Sequence, residues 1–509
     1  MSDQELVYKI NKSKMFVKLF DEEAKEFAVP DGVTSIGAGA FWGCSSLSSI
    51  VIPDGVTSIG AGAFWGCSSL TRIEVCENNP EYCSIDGALY TKDQKTLILC
   101  PPGRYDYTIP DGVTSIGDSA FDDCSFLSSL VIPSSVTSIG CSAFDDCSSL
   151  SSVVIPSSVT SIGDSAFKGC SSLSSVAIPS SVTSIGDNAF EDCSSLSSVA
   201  IPSSVTSIGA SAFRGCSSLS SIAIPASVTS IGGGAFANCS SLKTLVIPTS
   251  DSCMGDSIFC RCSSLETLAI PANVTHIGNE AFSGCSSLKS LEIPESVTSI
   301  GDWAFRDCSS LESLALPASV TSIGEETFKG CSSLKSLEIP ESVISIGFDA
   351  FIFCSSLTTL KVSENNPEYR SIDGVLFTKD EKTLLVYPAG RSEEEYAIPA
   401  GVTSIGDGVF AGCSSLKSIT IPNGVTEIGW GAFSACFSLH SLEIPSSITE
   451  IGWGAFFGCI SLKSLDIPAS VTEIGDDAFR DCPKLTLRVP KGSYAERFAI
   501  ENEIKYKTF

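Results

Sequence analysis

Histidine is almost missing from this chain, with two in 509 residues, His276 and His440. Basic residues are also scarce, 31 against 58 acidic, so the net charge is −27 and both phosphate backbones and anionic headgroups are repelled. Nucleic acid is therefore not an expected partner. Charged residues make up only 17% and hydrophobic ones 43%, too little charge for a disordered chain and enough apolar material for a large core. No run of 18 apolar residues occurs, so membrane insertion is not expected. The first twenty residues scatter Asp3, Glu5, Lys9, Lys12, Lys14 and Lys18 through any stretch that could form a signal-peptide core, which favours a cytoplasmic location. G-x-S-x-G elbows, P-loops, dinucleotide fingerprints and H-E-x-x-H sites are missing too.

What is present is a repeat. A proline preceded by Ile, Val or Leu stands at 30 and 53, at eleven positions from Pro110 to Pro340, and at 399, 422, 445 and 468, with 23 residues between neighbours in each run. These seventeen repeats fill about three quarters of the chain and follow L-x-x-I-x-I-P-x-x-V-T-S-I-G-x-x-A-F-x-x-C. Self-similarity on this scale predicts a solenoid. In the repeat around Pro53, the run of Leu47, Ile50 and Ile52 reads as one short parallel strand in which Ile50 and Ile52 alternate inward, and Pro53, lacking a donor, ends it. Past it, Val56 and Ile59 form the thinner side, Gly60 is read as a turn with positive φ, and Ala63 and Phe64 as a single helical or 3₁₀ turn leading back to Cys67. The glycine, the phenylalanine (Phe41 to Phe479) and the cysteine hold the same offset in every repeat, so each forms a column along the axis, with Phe as the main core filler.

The unit resembles the BspA-like (Treponema pallidum-type) leucine-rich repeat, whose hallmark is the string I-P-x-x-V-T-x-I-G-x-x-A-F-x-x-C-x-x-L. The resemblance implies a right-handed, β-rich solenoid with a parallel sheet on one face and short strands and turns on the other. It also implies a binding scaffold, since some members are surface or secreted adhesins; by resemblance the location would be surface or secreted. No export signal, cell-wall sorting motif or membrane anchor is legible here.

Two insertions break the period, between Pro53 and Pro110 and between Pro340 and Pro399. They share V-x-E-N-N-P-E-Y-x-S-I-D-G-x-L-x-T-K-D-x-K-T-L, and Leu89 to Thr91 with Thr96 to Ile98 around Lys92–Lys95 read as a β-hairpin. Such hairpins are either grips on a ligand or a duplicated structural element. The expected organisation is an N-terminal β cap over 1–27 (Val7 to Ile10 against Phe16 to Phe20), a solenoid over 28–488 with inserts at about 76–107 and 363–396, and a C-terminal cap over 489–509. In that last cap Ser493 and Glu496 form a capping box. In the repeat of Pro248, Asp251 replaces the usual Val and Met254 the usual Ile, which predicts a bulge over 249–257 and the weakest part of the stack.

Catalysis needs side chains within hydrogen-bond reach, and stacking separates His276 from His440, so neither an enzyme nor a cofactor is expected. Seventeen of the 23 cysteines form the repeat column, where parallel Cβ vectors suit packing better than disulfides. Cys253, Cys260 and Cys262 lack a fourth zinc ligand, and no metal is expected. Asp122 with Asp123 and Asp145 with Asp146 read as a solvated acidic rim, lacking the spacing of a calcium loop. Trp42 with Trp65, and Trp430 with Trp453, hold matching places in adjacent repeats, as aromatic binding steps or as packing at the turns.

The expected function is a non-catalytic, monomeric protein-binding scaffold, possible settings being adhesion or host and cell-surface interaction; a self-associating structural or coat protein is the alternative. The candidate partner-binding face consists of the residues just before the last strand Ile: Val131, Val154, Ala177, Ala200, Ala223, Val246 and Ala269, then charged Glu292 and Glu338. Three residues earlier, Lys243, Glu266, Lys289, Glu312 and Lys335 alternate in sign as a charge ladder.

Overall fold

A computed structural model describes residues 8–21, 23–247 and 253–509, the side chain of Cys253 excepted. The chain forms two compact units, Met1–Asp251 and Ser252–Phe509, termed here the N-terminal and C-terminal halves. The boundary falls in the repeat of Asp251 and Met254. Asp251 lies outside the described residues, and so does much of the expected 249–257 bulge. Met254 is 2% exposed and pairs in register with Ile277, so an unbranched apolar side chain fills a place in the column of β-branched Ile.

In both halves each repeat supplies two strands. One has the form S-x-x, as in Ser152–Val154, Ser175–Ala177 and Ser198–Ala200, with its middle residue buried and its outer two exposed. The other is a Ser-Ile or Glu-Ile pair such as Ser161–Ile162. Neighbouring strands of each kind pair parallel at a step of 23 residues, Val153 with Val176 and Ile162 with Ile185, so like residues stack on like. This alternation is what the sequence periodicity predicted.

The third side differs from the single helical turn expected. In the repeat of Pro110, Ser119 (φ 55°) and Asp123 (φ 60°) are left-handed, which prevents a helical turn, and the segment instead forms a ladder of its own. Ser119, Phe121 and Asp123 N–H donate to the carbonyls of Cys141, Ala143 and Asp145 in the next repeat at 2.8 to 3.0 Å. Alternate residues of this wall therefore bond forward as strands do, although their dihedrals are not those of strands. The column glycine also has a different role from the one expected. Gly60 and Gly140 are not in the positive-φ region; a β-carbon on Gly140 would lie 2.7 Å from Asp118 N and 2.8 Å from Gly117 C. Close approach of one repeat's backbone to the next requires the glycine.

Phe rings stack through the core, Phe167 on Phe190 with centroids 5.4 Å apart and planes 2° from parallel, Phe305 on Phe328 at 5.6 Å and 5°. Each ring is fully buried, which contributes about 1.5 to 3 kcal/mol. The column thiols behind them donate to the preceding repeat's Phe carbonyl, Cys216 to Phe190 at 3.2 Å. They are thus donors as well as packing groups.

The inserts do not project as grips. Tyr82–Ile85, Ala88–Thr91 and Thr96–Leu99 form an antiparallel meander whose last strand pairs parallel with Ser115–Ile116, and Ala88, Leu89, Tyr90 and Leu97 are fully buried. The shared N-N-P-E-Y string has a physical cause. Asn79, fully buried, donates to the carbonyls of Pro53 and Val56 and accepts from Glu81 and Tyr82 N–H, so its amide is satisfied. Asn366 repeats the arrangement.

At the beginning of the described chain Tyr8–Ile10 pairs antiparallel with Met15–Leu19, which in turn pairs parallel with Ser35–Ile36; Val7 lies outside the described residues. At the other end Ser493 Oγ accepts from Glu496 N–H, the Glu496 carboxylate accepts from Gly492 N–H, and Tyr494–Glu501 is helical. Tyr506–Thr508 then pairs parallel beside Thr486–Val489. Among the described residues no helix is long and apolar enough to cross a membrane.

Candidate functional site

The candidate face is the outer surface of the S-x-x strands. Strand alternation sends Val153, Val176, Val199, Ile222 and Leu245 inward and leaves their neighbours outside. In the N-terminal half all six predicted residues are exposed: Val131 at 54%, Val154 at 78% and Val246 at 71%, with Ala177, Ala200 and Ala223 between them. In-register pairing places Val154 beside Ala177, Ala177 beside Ala200, Ala200 beside Ala223 and Ala223 beside Val246. Two columns of exposed serine flank the row, Ser151 to Ser220 and Ser152 to Ser221, and Lys243 is the first ionised side chain to enter them. In a chain of net charge −27 this half carries a neutral, small-residue strip.

In the C-terminal half the same position alternates between alanine and glutamate from Ala269 to Glu338, and further on Glu443 pairs with Asp466. Ala269 pairs with Glu292, Glu292 with Ala315, and Glu338 with Lys361, all on exposed strand positions except where Leu291, Leu314 and Leu337 turn inward. The charge ladder is partly closed: Lys335 Nζ lies 3.1 Å from Glu312 Oε2, and the equivalent pair Lys417–Glu394 closes at 2.5 Å. Exposed pairs of this kind contribute about 0.2 to 1 kcal/mol.

The remaining sequence candidates fall elsewhere. His276 lies in a Ser-Ile-type strand with its Nδ1 2.7 Å from Thr275 Oγ1, while His440 precedes an S-x-x strand and donates its backbone N–H to the carbonyl of Lys417. Cys262 is buried in the column, and the Cys260 thiol lies 3.7 Å from Glu280 Oε2. The acidic rim is not simply solvated. Asp122 is half-buried, and burial, opposed by the hydrogen bond from Trp65, pushes its carboxyl up to about 6; burial also raises Asp145, whose Oδ1 is buried without a hydrogen-bond partner. Trp42, Trp65, Trp430 and Trp453 are all at least half exposed, but Trp65 is tied down by Asp122. That pairing across 57 residues was not legible in the sequence.

Comparison with known proteins adds the following. The model of the BspA-type leucine-rich repeat region matches residues 13–90, 105–199, 137–266, 252–380 and 389–499. Among solved structures, a leucine-rich repeat protein from Bacteroides ovatus is 29% identical, covering 84% of this chain and 98% of that one, with a TM-score of 0.48. A leucine-rich cell surface protein from Faecalibacterium prausnitzii is 29% identical, covering 85% and 96%, with a TM-score of 0.40. The leucine-rich repeat protein of T. pallidum is 28% identical over 43% of this chain and 90% of its own, with a TM-score of 0.25. No curated protein matches.

Proposed function

This chain belongs to the BspA-type leucine-rich-repeat family, and from that premise we propose that it is a non-catalytic scaffold that binds a partner protein, in an adhesive setting, on the strand face of its N-terminal half. The observation that supports this is the neutral row from Val131 to Val246. Exposed valines on a regular surface otherwise lined by serine gain from being covered, and the nearby hydroxyls can hydrogen-bond a partner without the cost of desolvating a charge. The charged C-terminal half would then tune approach and orientation more than it adds affinity.

The test uses the full chain as bait in extract from its source, with the captured protein purified and titrated. Val131→Lys with Val154→Lys should weaken binding by tenfold or more while leaving the melting transition in place, and Lys289→Ala should change little. Unchanged affinity in the double variant would move the site off this face. Light scattering of the chain alone decides between scaffold and coat: growth of mass with concentration would favour self-assembly.

A further inference from the structure

Each insert interrupts the turn-built wall and leaves a cleft there. Backbone bonds join the 324–331 turn to the 347–354 turn, Phe328 N–H to the Ala350 carbonyl and Gly330 N–H to the Ile352 carbonyl. Beyond the second insert the acceptor role passes to a different pair, Tyr387 N–H donating to Val409, and a cleft of about 250 Å³ opens between the 347–354 and 406–413 turns. The first insert leaves an equivalent cleft of about 200 Å³ lined by Trp65, Leu89 and Asp122.

The two clefts differ in chemistry. In the first, both carboxylates are engaged: the Trp65 indole donates to Asp122 at 2.7 Å and Gly66 N–H to Asp123 at 3.1 Å. In the second, Ile352 and Ala411 occupy the places of Trp65 and Asp122, and the acid is Asp349, a left-handed residue (φ 54°) three positions before Ile352, at the place that Gly62 holds in the first cleft. Its Oδ1 is covered, has no hydrogen-bond partner, and lies where a β-carbon on Gly408 would collide with it. The charges around it do not neutralise it. Lys329 is held by Glu326 at 3.0 Å, and Asp407, which accepts from Trp430 N–H, adds like charge. The rest of the wall is apolar, with Phe348, Ile352, Leu376 and the ring of Tyr369.

We propose that this cleft binds a primary ammonium group on a short apolar stem, with Asp349 as its counter-ion and Phe348, Ile352, Leu376 and Tyr369 around the stem. A half-buried carboxylate with one covered oxygen unpaired is costly, and an entering cation supplies the missing charge. At about 250 Å³ the cleft exceeds the roughly 150 Å³ of an apolar cavity that accommodates benzene, enough for a small alkylamine or the end of a lysine side chain. Without ligand, burial more than any neighbouring charge pushes Asp349 up to about 6. Binding therefore requires the ionised acid and weakens as the solution is acidified through that value.

Ligand-observed NMR on the full chain tests this with three probes: n-butylammonium, n-butanol as the neutral control, and acetyl-Gly-Lys-Gly-amide. Saturable binding of a cation but not of butanol is expected at neutral pH, falling roughly tenfold by about pH 5 in the unmodified protein. Asp349→Asn should abolish it with no loss of melting temperature. A peptide that binds more tightly than butylammonium identifies the source as a lysine side chain, and the reverse identifies a free amine. Equal binding by butanol, a flat pH profile, retained binding in Asp349→Asn, or no saturation by either cation in the millimolar range would each overturn the assignment.

Discussion

The indole N–H of Trp65 donates to Asp122 Oδ2 at 2.7 Å, joining two turns that are 57 residues apart in sequence and separated by the first insert. Asp122 is half-buried, and its carboxyl sits at about 6 against 3.8 when unfolded. A raised value in the folded state contributes stability below 3.8 that is lost as the pH rises through 6, so ionised Asp122 is a cost at neutral pH, and the indole reduces that cost. Trp65→Phe should therefore destabilise by about 1 kcal/mol at neutral pH and by less near pH 4, where Asp122 is protonated in both variants. Asp122→Asn should be neutral or stabilising at neutral pH. Urea unfolding at the two pH values measures both, and an equal loss in Trp65→Phe at both would show that the indole acts by packing alone.

The repeats, the strand that ends at each proline, the Phe column and the inward and outward alternation were all legible because they depend on period and hydropathy, which a single sequence displays. The outward position of Val154 and the inward one of Val153 follow from alternation alone. What depends on the distance between one repeat and the next was not legible. Gly140 looks like a turn residue in isolation and proves to be a spacer only when Gly117 and Asp118 stand against it. The left-handed Ser119 and Asp123 are unremarkable as sequence, because Ser and Asp are common in any turn. The Asn79 bridge, the Trp65–Asp122 bond and the Asp349 cleft each join segments separated by an insert or by a whole repeat, and no local pattern encodes such pairs.

The column thiols from Cys67 to Cys239 and from Cys285 to Cys459 are buried, and none is in a disulfide. Burial pushes Cys239 and Cys354 up to about 12, so almost no thiolate is present near neutrality. A thiol reagent added to the native protein should react first at exposed Cys141 and leave the column untouched. In the denatured, unreduced protein well over half of the 23 cysteines should react. Blockage of nearly all of them would replace the packing role with a cross-linked one.

Glycine at the column position should be the least replaceable residue of the repeat. A β-carbon on Gly209 would lie 2.5 Å from Asp187 N and 2.5 Å from Gly186 C, and both are backbone atoms that can move only if the repeats separate. Separation would also stretch the bond from Gly209 N–H to the Ile185 carbonyl, 2.9 Å, and loosen the Phe190–Phe213 stack, 5.5 Å. Overpacking with strained hydrogen bonds costs about 1 to 3 kcal/mol or more, so Gly209→Ala should lower stability by at least 2 kcal/mol. Gly401 is the control, since nothing lies within 4 Å of the β-carbon it would gain and its φ is not left-handed. There alanine restricts the unfolded chain without strain, and Gly401→Ala should be neutral or stabilise by up to about 1 kcal/mol. Chemical denaturation of the two variants beside the parent decides the matter. A Gly209→Ala protein as stable as Gly401→Ala would mean that the repeats can part at no cost, and that close backbone approach is not why glycine stands in every repeat.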